Sequence, residues 1–361
     1  MGTEISPLFA NHVKGSGAEN AYNWMIKLDS SSVHSYSGVI YEMYDGAKIN
    51  LTFTDNSTHT PTKDNNDNIV SGSIIANNES NINYGILCGR IVGLSKLTAT
   101  YTNTADTAVT FIGTENAYCG GLVGELNNST FELLTGSSSV KVDFEKKKDD
   151  VGFICGHAED GTITLPTGYT FQGTIDGNNY AGGIAGYCKN TTVNYETTSG
   201  TITLNSCNIK NGTSTGGVFG YYECNTYDDD ILINHTYALT NCKVEGTALS
   251  GGIAGEYKPT YTNAVTIDLD QYTLDSTTKL ETGTSAGGLF GKYTAGGSVT
   301  IKDTDITNTH FAPPSSKIPY GGVIGEYVNI AYANTLTLSN FTVDSLNCTS
   351  SGSVGGVIGT L

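Results

Sequence analysis

The carboxylates are the first residues in this sequence that could do chemistry. Asp268 and Asp270 stand two apart, as do Asp303 and Asp305, and Asp228, Asp229 and Asp230 are consecutive. A pair of carboxylates flanking a sugar linkage is the usual equipment for glycoside cleavage, and the same groups could hold calcium. Period-two spacing sets each pair on one side of a strand, and the side expected is the solvated one. The six histidines (His12, His34, His59, His157, His235 and His310) show neither HExxH nor any other close pairing, so no zinc site is expected. Gly283-Thr284-Ser285-Ala286-Gly287 matches the G-x-S-x-G elbow. That motif requires a strand–turn–helix setting, and here it falls on a turn that recurs along the chain. The chain has no Walker loop and no GxGxxG. No catalytic, cofactor-binding or metal-binding residue is assigned, no cofactor is expected, and the reading is of a protein that is not an enzyme.

Composition narrows the partners. In 361 residues there are 35 Asp and Glu against 18 Lys and Arg, a net charge of −17, yet only 15% of residues are charged. Nucleic-acid binders neutralise phosphates with clustered cations. The one basic cluster, Lys146-Lys147-Lys148, is followed at once by Asp149-Asp150, and Arg90 is the sole arginine. No nucleic-acid partner is expected. No apolar run approaches the ~20 residues of a membrane span. With 38% hydrophobic residues the chain is too apolar for disorder. Forty-five glycines and about fifty threonines, with few strong helix formers, point to an all-β protein.

What must position any functional residue is a repeat. Gly-Gly, an aliphatic residue, a small or apolar residue and Gly recur in CGGLVGEL (119–126), YAGGIAGYC (180–188), TGGVFGYY (215–222), SGGIAGEY (250–257), AGGLFGKY (286–293), YGGVIGEY (320–327) and VGGVIGTL (354–361). Weaker copies are YGILCGRI (84–91) and VGFICGHA (151–158), with a degenerate first copy at 36–44. The closing glycines, from Gly89 through Gly124, Gly156, Gly186, Gly220, Gly255, Gly291 and Gly325 to Gly359, are 30 to 36 residues apart. Between them lie alternating stretches such as TITLNSCNI (201–209) and VTIDLDQYTL (265–274), the period of half-buried strands. Short strands at a fixed period wind as coils of a parallel β-helix, or β-solenoid, here of about ten coils. Residues 36–361 form the array, with a polar loop insert near 55–68. Residues 1–35 are a cap or a further coil.

Coils stack like on like. Tyr222, Tyr257, Tyr293 and Tyr327 all stand two places after their closing glycine, and so stack, either as an internal aromatic ladder or as a platform for sugar rings. The glycines mark a sharp corner that demands positive φ or close backbone approach. Eight cysteines are an even number, and in-phase residues one coil apart lie at disulfide distance. Cys207–Cys242 and Cys188–Cys224 are the candidate pairs, with stacked thiols as the alternative. Ten Asn-x-Ser/Thr sites permit a glycosylated exterior. The chain stops within a repeat element at 354–361, as expected of a segment of a longer array or of an end that docks on another subunit.

An aliphatic strand, Asn-Cys, a short turn and Gly-Gly-aliphatic-x-Gly, clearest at 204–222, 239–257 and 346–359, resemble the GLUG motif of bacterial and archaeal cell-surface proteins. The resemblance covers about 36–361 in degenerate form and implies an extracellular, adhesin-like β-helical array with no catalytic residues to carry over. The expected function is therefore structural: part of a cell-surface fibre, sheath or adhesin that associates with itself or with other cell-envelope proteins. The alternative is a glycan-binding or glycan-cleaving β-helix.

Overall fold

The structure is a computed structural model that describes residues 10–15, 22–28, 38–56, 62–63, 69–71, 74–75, 83–104, 108–112, 117–137, 139–144, 148–196, 200–224, 236–260, 265–269, 271–275, 277–307, 310–311, 318–330, 335–344, 347–348 and 353–361. Among these residues there is no helix, and the strands stack in parallel as a β-solenoid. The glycine element builds its spine. Each copy contributes a short strand, such as Val123–Asn127, Cys155–Glu159, Ala185–Lys189 and Phe219–Cys224. Register partners are one repeat apart: Val123 pairs with Cys155, Cys155 with Ala185, and Ala185 with Phe219. Eleven such strands form one continuous sheet, about 50 Å long at ~4.8 Å per rung.

The count is eleven, where the glycine elements predict ten. The additional rung is Ala10–Lys14, which pairs with Ile40–Tyr44 although it carries no Gly-Gly element. Beside it Tyr22–Leu28 pairs with Lys48–Asp55 over seven residues. Parallel pairing needs an extended backbone and a buried face, not the corner motif, so a rung can form without it.

From the spine each early coil turns into a second sheet, Tyr22–Leu28 through Lys48–Asp55, Lys96–Asn103, Thr130–Leu133 and Thr162–Leu165 to Thr192–Tyr195. Later coils use Val265–Asp268, Val299–Thr307 and Leu336–Asp344 in a three-stranded sheet. Alternation sets the faces: Leu97, Ala99 and Tyr101 are buried, while Thr98, Thr100 and Thr102 between them face outward. The chain returns to the spine through strands that end on the first glycine of each pair, such as Tyr118–Gly120, Ser214–Gly216 and Ser285–Gly287. The insert near 55–68 contributes Thr62–Lys63, antiparallel to Ile69–Ser71.

The corners separate two functions that the sequence runs together. None of the eight repeat glycines from Gly124 to Gly359 has a positive φ. They serve close approach instead. A Cβ on Gly220 would meet Ala181 N at 2.5 Å and Gly186 O at 2.6 Å, backbone atoms of the adjoining coil. Gly124, Gly156, Gly186, Gly255, Gly291, Gly325 and Gly359 would each likewise bring a Cβ within 2.7 Å of a backbone atom. Left-handed backbone falls to Asn and Asp at the next corner: Asn128, Asp160 and Asn190 have φ of 45°, 50° and 46°. Short side chains that bond locally tolerate that region best after glycine. Four of the Asn-x-Ser/Thr sites, at Asn128, Asn190, Asn211 and Asn340, occupy such left-handed positions. Corner geometry alone accounts for asparagine there.

Candidate functional surface

Two rows run along the spine, one on each side of it. The inward row contains the tyrosines singled out by sequence. Tyr222, Tyr257, Tyr293 and Tyr327 are all buried. Their successive ring centroids lie 5.4, 5.1 and 5.9 Å apart. With their faces inside the core, these rings are closed to a sugar. Earlier rungs fill the same row with Leu126, Ala158 and Cys188.

Cys188 therefore stands opposite Tyr222, and Cys224 stands opposite Pro259. The Cys188–Cys224 pairing is thus corrected: the two sit two residues out of register, on neighbouring strands but not across from each other. Cys207 and Cys242 do face one another, since Asn208 pairs with Lys243 immediately after them. All four are buried thiols in this structure.

The outward row, one place after each closing glycine, is the feature that letter matching misses. Its register runs His12, Glu42, Arg90, Glu125, His157, Tyr187, Tyr221, Glu256, Lys292, Glu326 and Thr360. Its residues differ in type but complement their neighbours. His12 Nδ1 lies 2.9 Å from Glu42; Arg90 bonds Glu42 at 2.8 Å and Glu125 at 2.7 Å; Lys292 lies 3.6 Å from Glu256. A parallel row two residues on repeats the pattern, with Lys189–Glu159 at 2.7 Å and Lys258–Glu223 at 3.4 Å.

The middle of the row is aromatic. His157 is stacked between Tyr118 and Tyr187, with centroids at 4.3 and 4.4 Å and planes within 16°. Tyr187 stacks in turn on Tyr221 at 5.2 Å, and Tyr180 lies obliquely against both. His157 Nδ1 is 2.7 Å from Oδ2 of Asp150, which is 4% exposed and whose Oδ1 has no hydrogen-bond partner. Burial pushes the Asp150 carboxyl above its ordinary range, with His157 acting against that rise. Burial and then nearby carboxylates raise the Tyr118 and Tyr180 phenols. The imidazole is thus covered on both faces and pinned from below, an arrangement that fixes its position. Asn83 ties into the same patch, donating to Glu125 at 2.6 Å and accepting from Tyr118 N at 3.2 Å.

The other sequence candidates lie elsewhere. Ser285 of the elbow-like motif is fully buried and donates to Gly291 O at 3.0 Å, on a strand–turn–strand. Asp228, Asp229, Asp230 and Asp270 lie outside the described residues, as do His34, His59 and His235. Asp268, Asp303 and Asp305 fall on the three-stranded sheet. Among the described residues no three metal-ligating side chains converge, and no helix is long and apolar enough to cross a membrane. No family model, curated protein or solved structure matches this chain.

Proposed function

We propose that the chain is a non-catalytic structural β-solenoid of the cell surface. It acts as a subunit or segment of a fibre, sheath or adhesin, and it associates with itself, through coil ends or lateral faces, or with other cell-envelope proteins. The observation that carries this reading is the outward row. Its ion pairs and ring stacks run along the axis, from rung to rung, so that the exterior chemistry as well as the core serves stacking. The GLUG resemblance and the acidic, arginine-poor composition support an extracellular setting. Sizing and electron microscopy of the purified chain test the reading: concentration-dependent oligomers or fibres are expected. A monodisperse monomer at high concentration would overturn self-association.

A second reading, a glycan-binding or glycan-cleaving β-helix, is favoured by one observation, the aromatic and carboxylate patch of Tyr118, Asp150, His157, Tyr180, Tyr187 and Tyr221. It requires retention on a glycan panel, or turnover, that substitution of the two partly exposed rings, Tyr180→Ala and Tyr187→Ala, removes. No retention and no turnover across a broad panel would dispose of it.

A further inference from the structure

Register separates Cys207 and Cys242 from the other cysteines. Cys88 faces Val123, Cys119 faces Val151, and Cys155 faces Ala185. Cys188 and Cys224 face Tyr222 and Pro259. Cys348 pairs in register with Phe311. Among the described residues, only at 207 and 242 do two cysteines stand across one rung, ahead of the paired residues Asn208–Lys243 and Ile209–Val244. One rung spacing, ~4.8 Å, falls within the Cα separation that a disulfide spans, about 4.4–6.8 Å.

The side chains lean accordingly. Cys242 Sγ donates to Leu204 O at 3.2 Å, an atom of the strand that carries Cys207, and Cys207 Sγ donates to Phe171 O one rung further back, also at 3.2 Å. The Cys242 sulfur is therefore directed at the coil of its partner. Each thiol follows directly on a left-handed corner, Ser206 (φ 56°) and Asn241 (φ 51°), both exposed. Asn241 Nδ2 donates to Ser206 Oγ at 3.2 Å, which joins the two corners above the sulfurs. Each buried cysteine thus lies one residue along the chain from an exposed corner.

We propose that Cys207 and Cys242 are a site of covalent modification by small-molecule disulfides, which exchange with the two thiols to leave a Cys207–Cys242 bond stapling adjacent coils. Cys242 gives its proton to solvent and its thiolate attacks one sulfur of R–S–S–R, expelling R–S⁻. Cys207 then loses its proton and attacks the Cys242 sulfur of the mixed disulfide, expelling the second R–S⁻. Two cysteine thiols are oxidised to one disulfide, and the reagent is reduced to two thiols that take up the two protons. Order follows from environment: interaction with the adjacent Cys207 side chain holds the Cys242 thiol below its ordinary range, while burial pushes Cys207 up. The inference stands apart from the structural reading above, since it depends on local register alone.

The test uses the full chain, first reduced and then incubated under native conditions with oxidised glutathione. Non-reducing peptide mapping is expected to find a Cys207–Cys242 cross-linked peptide as the main product, with loss of two hydrogens in intact mass. The midpoint of thermal unfolding should rise and fall back on reduction, and Cys207→Ser and Cys242→Ser should both lack the response. The peptide map of the unsubstituted chain decides the matter if either variant fails to fold. A native chain left fully reduced under conditions that oxidise the unfolded chain would overturn the proposal. So would glutathione retained on Cys242, or cross-links scattered over the other cysteines.

Discussion

Replacing Gly220 by Ala tests why the repeat carries glycine at its closing position. The backbone there has no positive φ, so alanine would be conformationally acceptable and, by restricting the unfolded chain, would by itself stabilise by about 0.4–1 kcal/mol. Space opposes it. The added methyl would lie 2.5 Å from Ala181 N and 2.6 Å from Gly186 O, and 3.0 Å from Ala181 O. All three belong to the backbone of the preceding coil, whose strands are themselves held by pairing. No side chain can rotate aside, so relief requires separating two coils. Overpacking costs ~1–3 kcal/mol where side chains yield, and more where they do not. A net destabilisation of about 3 kcal/mol is expected. Urea denaturation followed by far-ultraviolet circular dichroism measures it, with Gly356→Ala as the control. A Cβ on Gly356 meets nothing within 4 Å, and its unfolding midpoint should be unchanged or slightly raised. If Gly220→Ala cost less than about 0.5 kcal/mol, or no more than Gly356→Ala, close backbone approach would not be the reason for the glycine.

Three further outcomes follow from the two rows. Tyr327→Phe removes a buried hydroxyl that has no hydrogen-bond partner, and should leave stability unchanged or raise it by about 1 kcal/mol, read from thermal unfolding. Arg90→Met leaves Glu42 and Glu125 without their shared cation; a loss of about 1 kcal/mol is expected at low salt, and it should shrink at high salt, which screens the partly exposed guanidinium. Asp150→Asn addresses pH. Because burial raises the folded-state carboxyl above its unfolded value, the folded chain holds that proton more tightly. That contribution is complete below the ordinary carboxylate range, near pH ~4, and is lost as pH rises through the raised value. Compared with the variant, the unsubstituted chain should therefore lose stability from about pH 4 upward, and equal slopes in both would refute the assignment.

Much of the fold was legible because stacking imposes a period that composition cannot hide. Closing glycines at 30 to 36 residues and alternating strands between them define a solenoid before any contact is known. For residues 1–35 the reading stayed open between a cap and a further coil, because pairing of the kind seen at Ala10–Lys14 requires only an extended segment and leaves no glycine signature. The candidate surface escaped for a different reason. A search for repeated letters finds Tyr222, Tyr257, Tyr293 and Tyr327, an inward row where like packs on like. The outward row alternates Glu, Arg, Glu, His and Tyr, and its signal is complementarity between successive copies. Reading the residue after each closing glycine as a column would have exposed it. Cys188 and Cys224 show the remaining limit: both follow their closing glycines by a few residues, but a difference of two, 188 after 186 and 224 after 220, puts them out of register.

That column also bears on a difficulty built into every repeat. Coils alike enough to stack are alike enough to stack wrongly, since skipping one rung still matches aliphatic to aliphatic and glycine to glycine. The inward row scarcely penalises such an error; Tyr222 would meet Tyr293 about as well as it meets Tyr257. The outward row does penalise it. Omitting the Arg90 rung would set Glu42 against Glu125, and omitting the Lys292 rung would set Glu256 against Glu326, like charges one spacing apart where the correct register gives ion pairs. Omitting the His157 rung would place Glu125 against Tyr187 and leave Asp150 without the imidazole that bonds it. Side chains that look like a binding surface are thus also the ones that tell one coil from the next. Arg90→Glu, which turns the Glu42–Arg90–Glu125 run into three like charges, should lower refolding yield by more than the loss of two ion pairs accounts for. A yield tracking equilibrium stability alone would remove register selection from the account.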